Sequence, residues 1–456
     1  MSRTTGDIIG GSFSSAITET LPSCLTLQTR PERSILLDIF TQGPDDLPTL
    51  NDALSSRFFP FIESCSQATP CSYGVIKIYN IPFNVTRAEI IALVGKNAKM
   101  LNDVDEPVHI IMERVSSKTQ DAYVEFFSLE AAMKVVERHQ ELIRKGRQHK
   151  IGDRPVEIRI ADQSELMKDL FPLAAGVTWR GAKPEIRESV KGQPWNDFKG
   201  FVTTEEMTML VKHAEAPQRS PYSKECPQRS YECMISTLKK LPWYMSNHIT
   251  VRQRFAVYQA TERMITKLKD NLERKDSLER KDSLEREDRN LLLSPQLLKR
   301  LTEAAMMCPG FSVVQKDNIA ALVGMEEAKT YLFNQPRLAF EWTHIHTLCP
   351  RPGLPVDVLE WYISFIREES KRHVGTLSVR MRQEIEGTAR QVSAYFGFYW
   401  AELDHPAGKN FDDMSLRELA DCELETMQAI LSRVLRRVDS PQALPAVRGS
   451  SSGEDD

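Results

Sequence analysis

The chain has 456 residues and a mass of 52.0 kDa, with 59 Lys and Arg against 63 Asp and Glu and a formal net charge of −4. Its 41% hydrophobic content is enough for two to four domains with at least one sizeable core. The balanced charge excludes a wholly basic nucleic-acid coat and an acidic solvating tail protein, so any nucleic-acid site is a local patch.

Eight cysteines, at positions 24, 65, 71, 226, 233, 308, 349 and 422, are too sparse for a disulfide scaffold and form no CxxC pair. They read as reduced thiols of a soluble, intracellular protein. The first thirty residues lack a basic start followed by an apolar stretch, and no apolar run approaches the ~20 residues that span a bilayer. Neither a secretory signal nor a membrane contact is expected.

Residues 1–70 are rich in Ser, Thr and Pro and lack periodicity, the composition of a mostly disordered arm. Their apolar cluster, Phe58-Phe59-Pro60-Phe61-Ile62, is expected to dock on the domain that follows, a binding partner being the alternative. Residues 71–163 alternate short strands and helices. Val75 to Ile81 alternates apolar and polar residues and stops at Pro82, which predicts a strand. Thr86-Arg87-Ala88-Glu89 is a capping box that opens a helix. Strands are predicted over 107–113 and 122–127, and Ser128 caps a second helix carrying Ala132, Val135 and Val136. The basic run Arg144-Lys145-Gly146-Arg147-Gln148-His149-Lys150 then leads to a last strand over 156–160. The order is β-α-β-β-α-β, the split βαβ arrangement.

Beyond this domain the pattern is helical. A helical extension is predicted over 164–270, with helices starting at Thr203 or Thr204, at about Ser230 and at Val251. Residues 271–290 repeat every six residues, and Leu272, Leu278 and Leu284 fall ~120° apart around a helix. They form no coiled-coil seam, so the segment reads as a charged spacer. A second helical region covers 291–440, with helices expected over 295–307, 318–333, 355–370, 377–403 and 415–438, and residues 441–456 read as a disordered acidic tail. The fold class is α+β: one β-α-β-β-α-β domain followed by a mostly α-helical C-terminal region.

Two segments of the domain carry a family resemblance. Ile76-Lys77-Ile78-Tyr79-Asn80-Ile81-Pro82 and Thr119-Gln120-Asp121-Ala122-Tyr123-Val124-Glu125-Phe126 resemble the hexamer and octamer of the RNA recognition motif, a ferredoxin-like fold. The run Val75 to Thr86, with Asp121 to Phe126, is similar to the quasi-RNA-recognition motifs of the heterogeneous nuclear ribonucleoprotein F and H family. Such domains lack two of the sheet aromatics and hold guanine-rich RNA through loops beside the sheet. Phe83 and Arg154 stand at the family's loop aromatic and loop Arg. Tyr79 stands where the family has Arg, and Pro155 where it has Tyr.

Alternation places Ile76, Ile78, Ala122, Val124, Phe126, Val156, Ile158 and Ile160 towards the helices. Lys77, Tyr79, Asp121, Tyr123, Glu125, Glu157 and Arg159 are left on the other sheet face. Tyr123 is the one aromatic at a usual base-stacking position. Its absent companions cost roughly 1–3 kcal/mol each, and the acidic neighbours repel phosphate. Candidate RNA-binding residues are therefore Lys77, Tyr79, Phe83, Tyr123, Arg144, Lys145, Arg147, Lys150, Arg154 and Arg159. A competing arrangement has the helical extension or the Phe58 cluster lying over Tyr123.

The chain contains no GxxxxGK[ST], HExxH or GxGxxG, and His344, His346 and Cys349 lack the fourth ligand of a closed zinc site. No enzymatic activity, catalytic residue, metal or cofactor is expected. The expected partners are single-stranded RNA, guanine-rich RNA among the candidates, and proteins bound by the helical region. Resemblance implies pre-mRNA processing or mRNA fate as the setting, in the nucleus and also the cytoplasm. The alternative is a protein-interaction scaffold whose domain has lost RNA binding.

Overall fold

A computed structural model describes residues 33–43, 47–95, 97–187, 197–279, 292–389, 394–404 and 410–438. The chain is a mixed α/β protein with antiparallel sheets and a helical C-terminal region. The arm begins with short helices α1 (Ile35–Phe40) and α2 (Leu50–Ala53), then strand β1 (Phe61–Glu63).

Next come β2 (Gly74–Tyr79), α3 (Arg87–Val94), β3 (Val108–Met112), β4 (Thr119–Phe126), α4 (Leu129–Arg144) and, after the hairpin β5 (Lys150–Ile151) and β6 (Arg154–Pro155), β7 (Glu157–Ala161). Four of these strands pair antiparallel in the order β3-β4-β2-β7, so the β-α-β-β-α-β order read from the sequence is present. Both predicted caps are in place. The Thr86 hydroxyl accepts from the Glu89 backbone while Glu89 reaches back to the Thr86 backbone, and Ser128 accepts from the Ala131 N–H. Ile76, Ile78, Ala122, Val124, Phe126, Val135 and Ile158 form one core between the sheet and α3 and α4. Ile160 departs from the expected core: it lies near the end of the sheet's edge strand and is exposed.

The sheet's opposite face packs on the helical extension. This comprises α5 (Gln163–Leu170), the hairpin β8 (Val177–Arg180) and β9 (Lys183–Ile186), α6 (Thr204–Glu215), α7 (Pro221–Glu225), α8 (Arg229–Lys240) and α9 (Val251–Glu279). Val75, Ile111, Met112, Tyr123 and Ala161 share a core with Leu166, Leu170, Leu210, Met234, Leu238 and Ile265. The helix predicted to end near Leu268 runs on to Glu279, with Leu272 packed on this core, so the six-residue repeat begins as helix. The rest of the repeat, from 280, lies outside the described residues, as do residues 1–32 and the acidic tail.

The two helical regions pack against each other. Helices α10 (Pro295–Met306) and α11 (Val313–Val323) send Leu297, Leu301, Ala304, Ala305 and Ile319 into the extension's core. The helix expected over 318–333 starts earlier and stops at Gly324, whose φ of +65° turns the chain before the short α12 (Glu327–Thr330). A strand, β10 (Leu348–Pro350), and helices α13 (Val356–Thr376), α14 (Val379–Ala389) and α15 (Leu416–Val438) follow. The single helix expected over 377–403 is replaced by α14 and a separate 3₁₀ turn at Tyr399–Glu402.

The arm docks, but not on the domain that follows it. Leu37, Phe40, Leu47, Phe58, Phe59 and Phe61 enter a third core with Trp342, Trp361, Tyr362, Phe365 and Leu431 of the C-terminal region. Strand β1 pairs antiparallel with β10, Phe61 opposite Pro350 and Glu63 opposite Leu348. Six large apolar groups buried at roughly 1.5–3 kcal/mol each outweigh what the segment's Ser-rich composition suggests. Glu423 of α15 braces the ribbon, its buried carboxylate accepting from the backbone N–H groups of His346, Thr347 and Leu348 at 2.6, 3.0 and 3.1 Å. Burial raises this carboxyl against the pull of those hydrogen bonds. No described helix is long and apolar enough to cross a membrane.

Candidate nucleic-acid interface

Two surfaces of the sheet domain bear the residues chosen from the sequence, and the structure treats them differently. The first is the sheet face. Alternation does put Lys77, Tyr79, Tyr123, Glu125 and Arg159 there, but α5 and α8 lie across its centre. Tyr123 is fully buried and donates its hydroxyl to Asp169 Oδ2 at 2.5 Å. Lys77 Nζ lies 2.9 Å from the same carboxylate oxygen and 3.5 Å from Asp121, and 5.0 Å from the ring centroids of both Tyr79 and Tyr123. Burial would pull the Lys77 ammonium down; Asp169 and Asp121 more than offset it and hold it up.

Glu125 lies at the centre of a second buried cluster. Its carboxylate takes Lys240 Nζ at 2.5 Å, His109 Nε2 at 3.0 Å and Gln163 Nε2 at 2.7 Å, while His109 Nδ1 meets Ser236 Oγ at 2.9 Å. Burial alone would raise the Glu125 carboxyl, yet Lys240 and His109 bring it down to about 2. A third link, Arg114 to Glu206 at 2.7 Å, with further donation to the Leu170 carbonyl and Thr237 Oγ1, ties the β3–β4 end to α5, α6 and α8.

The expected stacking role of Tyr123 and the polar RNA contact expected of Lys77 are thereby corrected. A ring with no exposed surface offers no face to a base, and an ammonium held by two carboxylates is already neutralised. Tyr79 and Arg159 stay at the rim. Arg159 lies 5.4 Å from the Tyr79 ring and pairs with Glu157 at 2.5 Å, so its charge is partly spent.

The second surface is the loop edge beyond β2. Asn80 takes a left-handed φ of +60° and donates to the Pro155 carbonyl at 2.9 Å. Arg154 donates to the Ile81 carbonyl at 3.1 Å. These two bonds fasten the β5–β6 hairpin, with Gly152 at φ +57° in its turn, to the loop that carries Phe83. The hairpin is an element absent from the sequence reading, which has this stretch as a loop. Phe83 is 40% exposed, its ring meeting that of Tyr222 edge-on at a centroid distance of 6.0 Å. Arg144, Lys145, Arg147, Lys150 and Arg154 are all exposed, and no acidic partner within salt-bridge distance faces any of them among the described residues. His149, between them, stacks on the buried His139 with ring centroids 4.9 Å apart and Nδ1 atoms 2.7 Å apart. His139 Nε2 accepts from the Ile158 backbone, which leaves its Nδ1 as the donor to His149. Burial lowers both imidazoles, and each stays neutral at pH 7.

The structure therefore groups Phe83, Arg154 and the 144–150 cations at one edge and separates them from Tyr123 and Lys77. Asp169 and Lys240, which close the sheet face, were not singled out from the sequence. A local signal did exist for Asp169's helix: Asp162-Gln163-Ser164-Glu165 is a capping box, and both of its reciprocal bonds form. No such signal marks Lys240. His344, His346 and Cys349 do not converge: the first ring lies beside Trp400, the second against Phe411, and the thiol sits in β10.

Two family models match parts of the chain: Domain of unknown function (DUF8400) over residues 72–181 and Domain of unknown function (DUF8399) over residues 198–325. The first spans the sheet domain together with α5; the second spans α6 to α11. No curated protein matches the chain. Among solved structures, the chain is similar to one titled "Crystal structure of Glorund qRRM2 domain", at 23% identity over 22% of this chain and 99% of that one, with a TM-score of 0.18.

Proposed function

We propose that the chain is a non-enzymatic RNA-binding protein whose single quasi-type RNA recognition motif contacts a short single-stranded segment through its loop edge. The observation that carries this reading is the docking of Arg154 on the Ile81 carbonyl, which joins a hairpin of exposed cations to the loop bearing Phe83. A half-exposed ring beside acid-free cations is the combination that stacks a base and neutralises phosphates. The closed sheet face agrees with a loop-reading domain, because such a domain does not need that face. Pre-mRNA processing or mRNA fate, in the nucleus and in the cytoplasm, is the setting we assign.

The test is titration of the full chain with guanine-rich and mixed-sequence RNA oligonucleotides at two salt concentrations. Phe83→Ala and Arg154→Ala should each weaken binding roughly ten-fold, the cost of about one stacked base or one charged contact. Absence of binding at low salt, or full affinity in both variants, overturns the reading.

One observation favours a second reading, a protein-interaction scaffold. The sheet face, where this fold usually binds RNA, is filled by the chain's own Asp169 and Lys240. A scaffold would leave RNA titrations flat while Phe83 and the basic hairpin remained available to an acidic protein partner.

A further inference from the structure

Where the end of α10 meets the first turns of α11 and the β1–β10 ribbon, the structure forms a half-open cavity of about 250 Å³. Its lining includes Met306, Phe311, Phe333 and Cys349, which are apolar or weakly polar, the polar Ser64, Gln67 and Asn334, and Lys316 and Gln335, the two on which the site turns. Lys316 is 9% exposed and is the one cation among the lining residues. It has no hydrogen-bond or ion-pair partner among the described residues. Gln335 is 5% exposed, and its buried Oε1 likewise accepts nothing.

Both groups are costly as they stand. An ammonium shielded from most of its water and without a counter-charge gives up part of its hydration, and an unmade hydrogen bond at a buried amide oxygen costs about 1–3 kcal/mol. Lys316 also lies four residues after the Ser312 N-cap of α11, where the helix macrodipole opposes a cation. The neighbouring thiols supply no negative charge. Burial pushes Cys308 up to about 12 and raises Cys349 and Cys65 as well, so all three are neutral at physiological pH. Burial correspondingly pulls the Lys316 ammonium down.

We infer that this cavity binds a small carboxylate with a compact apolar body. The carboxylate pairs with Lys316 Nζ, a hydroxyl or amide N–H of the ligand donates to Gln335 Oε1, and the body lies against Phe311, Phe333 and Met306. One cation in the lining matches a single negative charge better than a phosphate ester's two. The volume is below the roughly 300–1,000 Å³ of sites for drug-sized ligands, which limits the occupant to a small metabolite. Exposed Leu332 and Met307 line the cavity at its outer side and mark the way in.

The test uses the full chain with benzoate and salicylate, and with benzamide as the uncharged control, read by calorimetric titration and thermal melting. Both carboxylates should bind at least ten-fold more tightly than benzamide and raise the Tm. Lys316→Met keeps the unbranched stem and should abolish that preference, while Lys316→Arg retains it. Gln335→Leu should weaken salicylate more than benzoate. Without ligand, Lys316→Met should melt at or above the wild type, since it removes an unpaired cation. Three results each overturn the inference: carboxylates binding no better than benzamide at millimolar concentration, equal binding to Lys316→Met, or a ligand-free Lys316→Met that melts well below the wild type.

Discussion

The hydroxyl of Tyr123 and the carboxylate of Asp169 meet at 2.5 Å, with Lys77 completing the group from the neighbouring strand on the same sheet face. One acidic residue of α5 thus closes this part of the sheet face. Asp169→Ala should destabilise the chain by about 1–3 kcal/mol, since it strips the acceptor from a buried hydroxyl and one counter-charge from an ammonium. Urea denaturation measures this. RNA affinity should be unchanged, because the loop edge does not depend on this bond; a gain in affinity would show instead that α5 competes with RNA for the sheet.

Glu125 predicts an acid limit to stability. Its folded-state value of about 2 lies below the ordinary 4.5, so the unfolded chain binds the proton more readily. The stabilisation it provides is complete above about pH 4.5 and is lost as pH falls from there towards 2. A depression of this size corresponds to on the order of 3 kcal/mol. Glu125→Gln should flatten the stability profile across that window and lower stability at pH 7, where the partly buried Lys240 loses its counter-charge. Denaturation midpoints measured between pH 2 and pH 7 check both expectations.

The cations at the hairpin predict a salt effect. For single-stranded nucleic acid, each phosphate neutralised contributes about −0.7 to the slope of log K against log salt. The double substitution Arg147→Ala, Lys150→Ala should therefore flatten the slope by up to about 1.4. Phe83→Ala should weaken binding at all salt concentrations and leave the slope in place. Fluorescence anisotropy at four or more salt concentrations separates the two behaviours.

Phe61→Ala should be among the most damaging single changes, at about 3–5 kcal/mol. The ring is 2% exposed and contacts Phe59, Trp342 and Phe396. Hydrogen exchange should show lost protection in β10 and α15, far along the chain, while α3 and α4 keep theirs. Uniform loss in all of these elements would contradict the division into separate cores.

The sheet domain was legible because its signals are local. Thr86 and Ser128 cap their helices within three residues, and Ile76 and Ile78 alternate with Lys77 along a single strand. The cover over the sheet was not legible from the strands themselves. Lys77 reads as solvent-facing because it is charged, yet its partner Asp169 lies 92 residues away, and no local pattern encodes a pairing at that range. Glu125 misleads for the same reason: acidity that suggests repulsion of phosphate in fact neutralises Lys240. Within the described part of the arm composition misleads, since Ser34 and Thr49 serve as helix caps rather than as marks of disorder. At the loop edge, Phe83 and Arg154 were found from the resemblance, while the hairpin that unites them depends on side-chain donation by Asn80 and Arg154 to backbone carbonyls, which spacing does not reveal.

The pairing of β1 with β10 has a consequence for biosynthesis. As the chain leaves the ribosome, Phe40, Phe58, Phe59 and Phe61 emerge well before the strand and the tryptophans that shelter them are made. The sheet domain can form in the interval, while the arm before it waits with its aromatic side chains uncovered. Long-range closure of this kind slows folding and leaves adhesive surface open to other chains. Nascent chains arrested before Leu348 should accordingly hold chaperones on residues 33–63, and a message truncated there would yield an insoluble product even with an intact sheet domain.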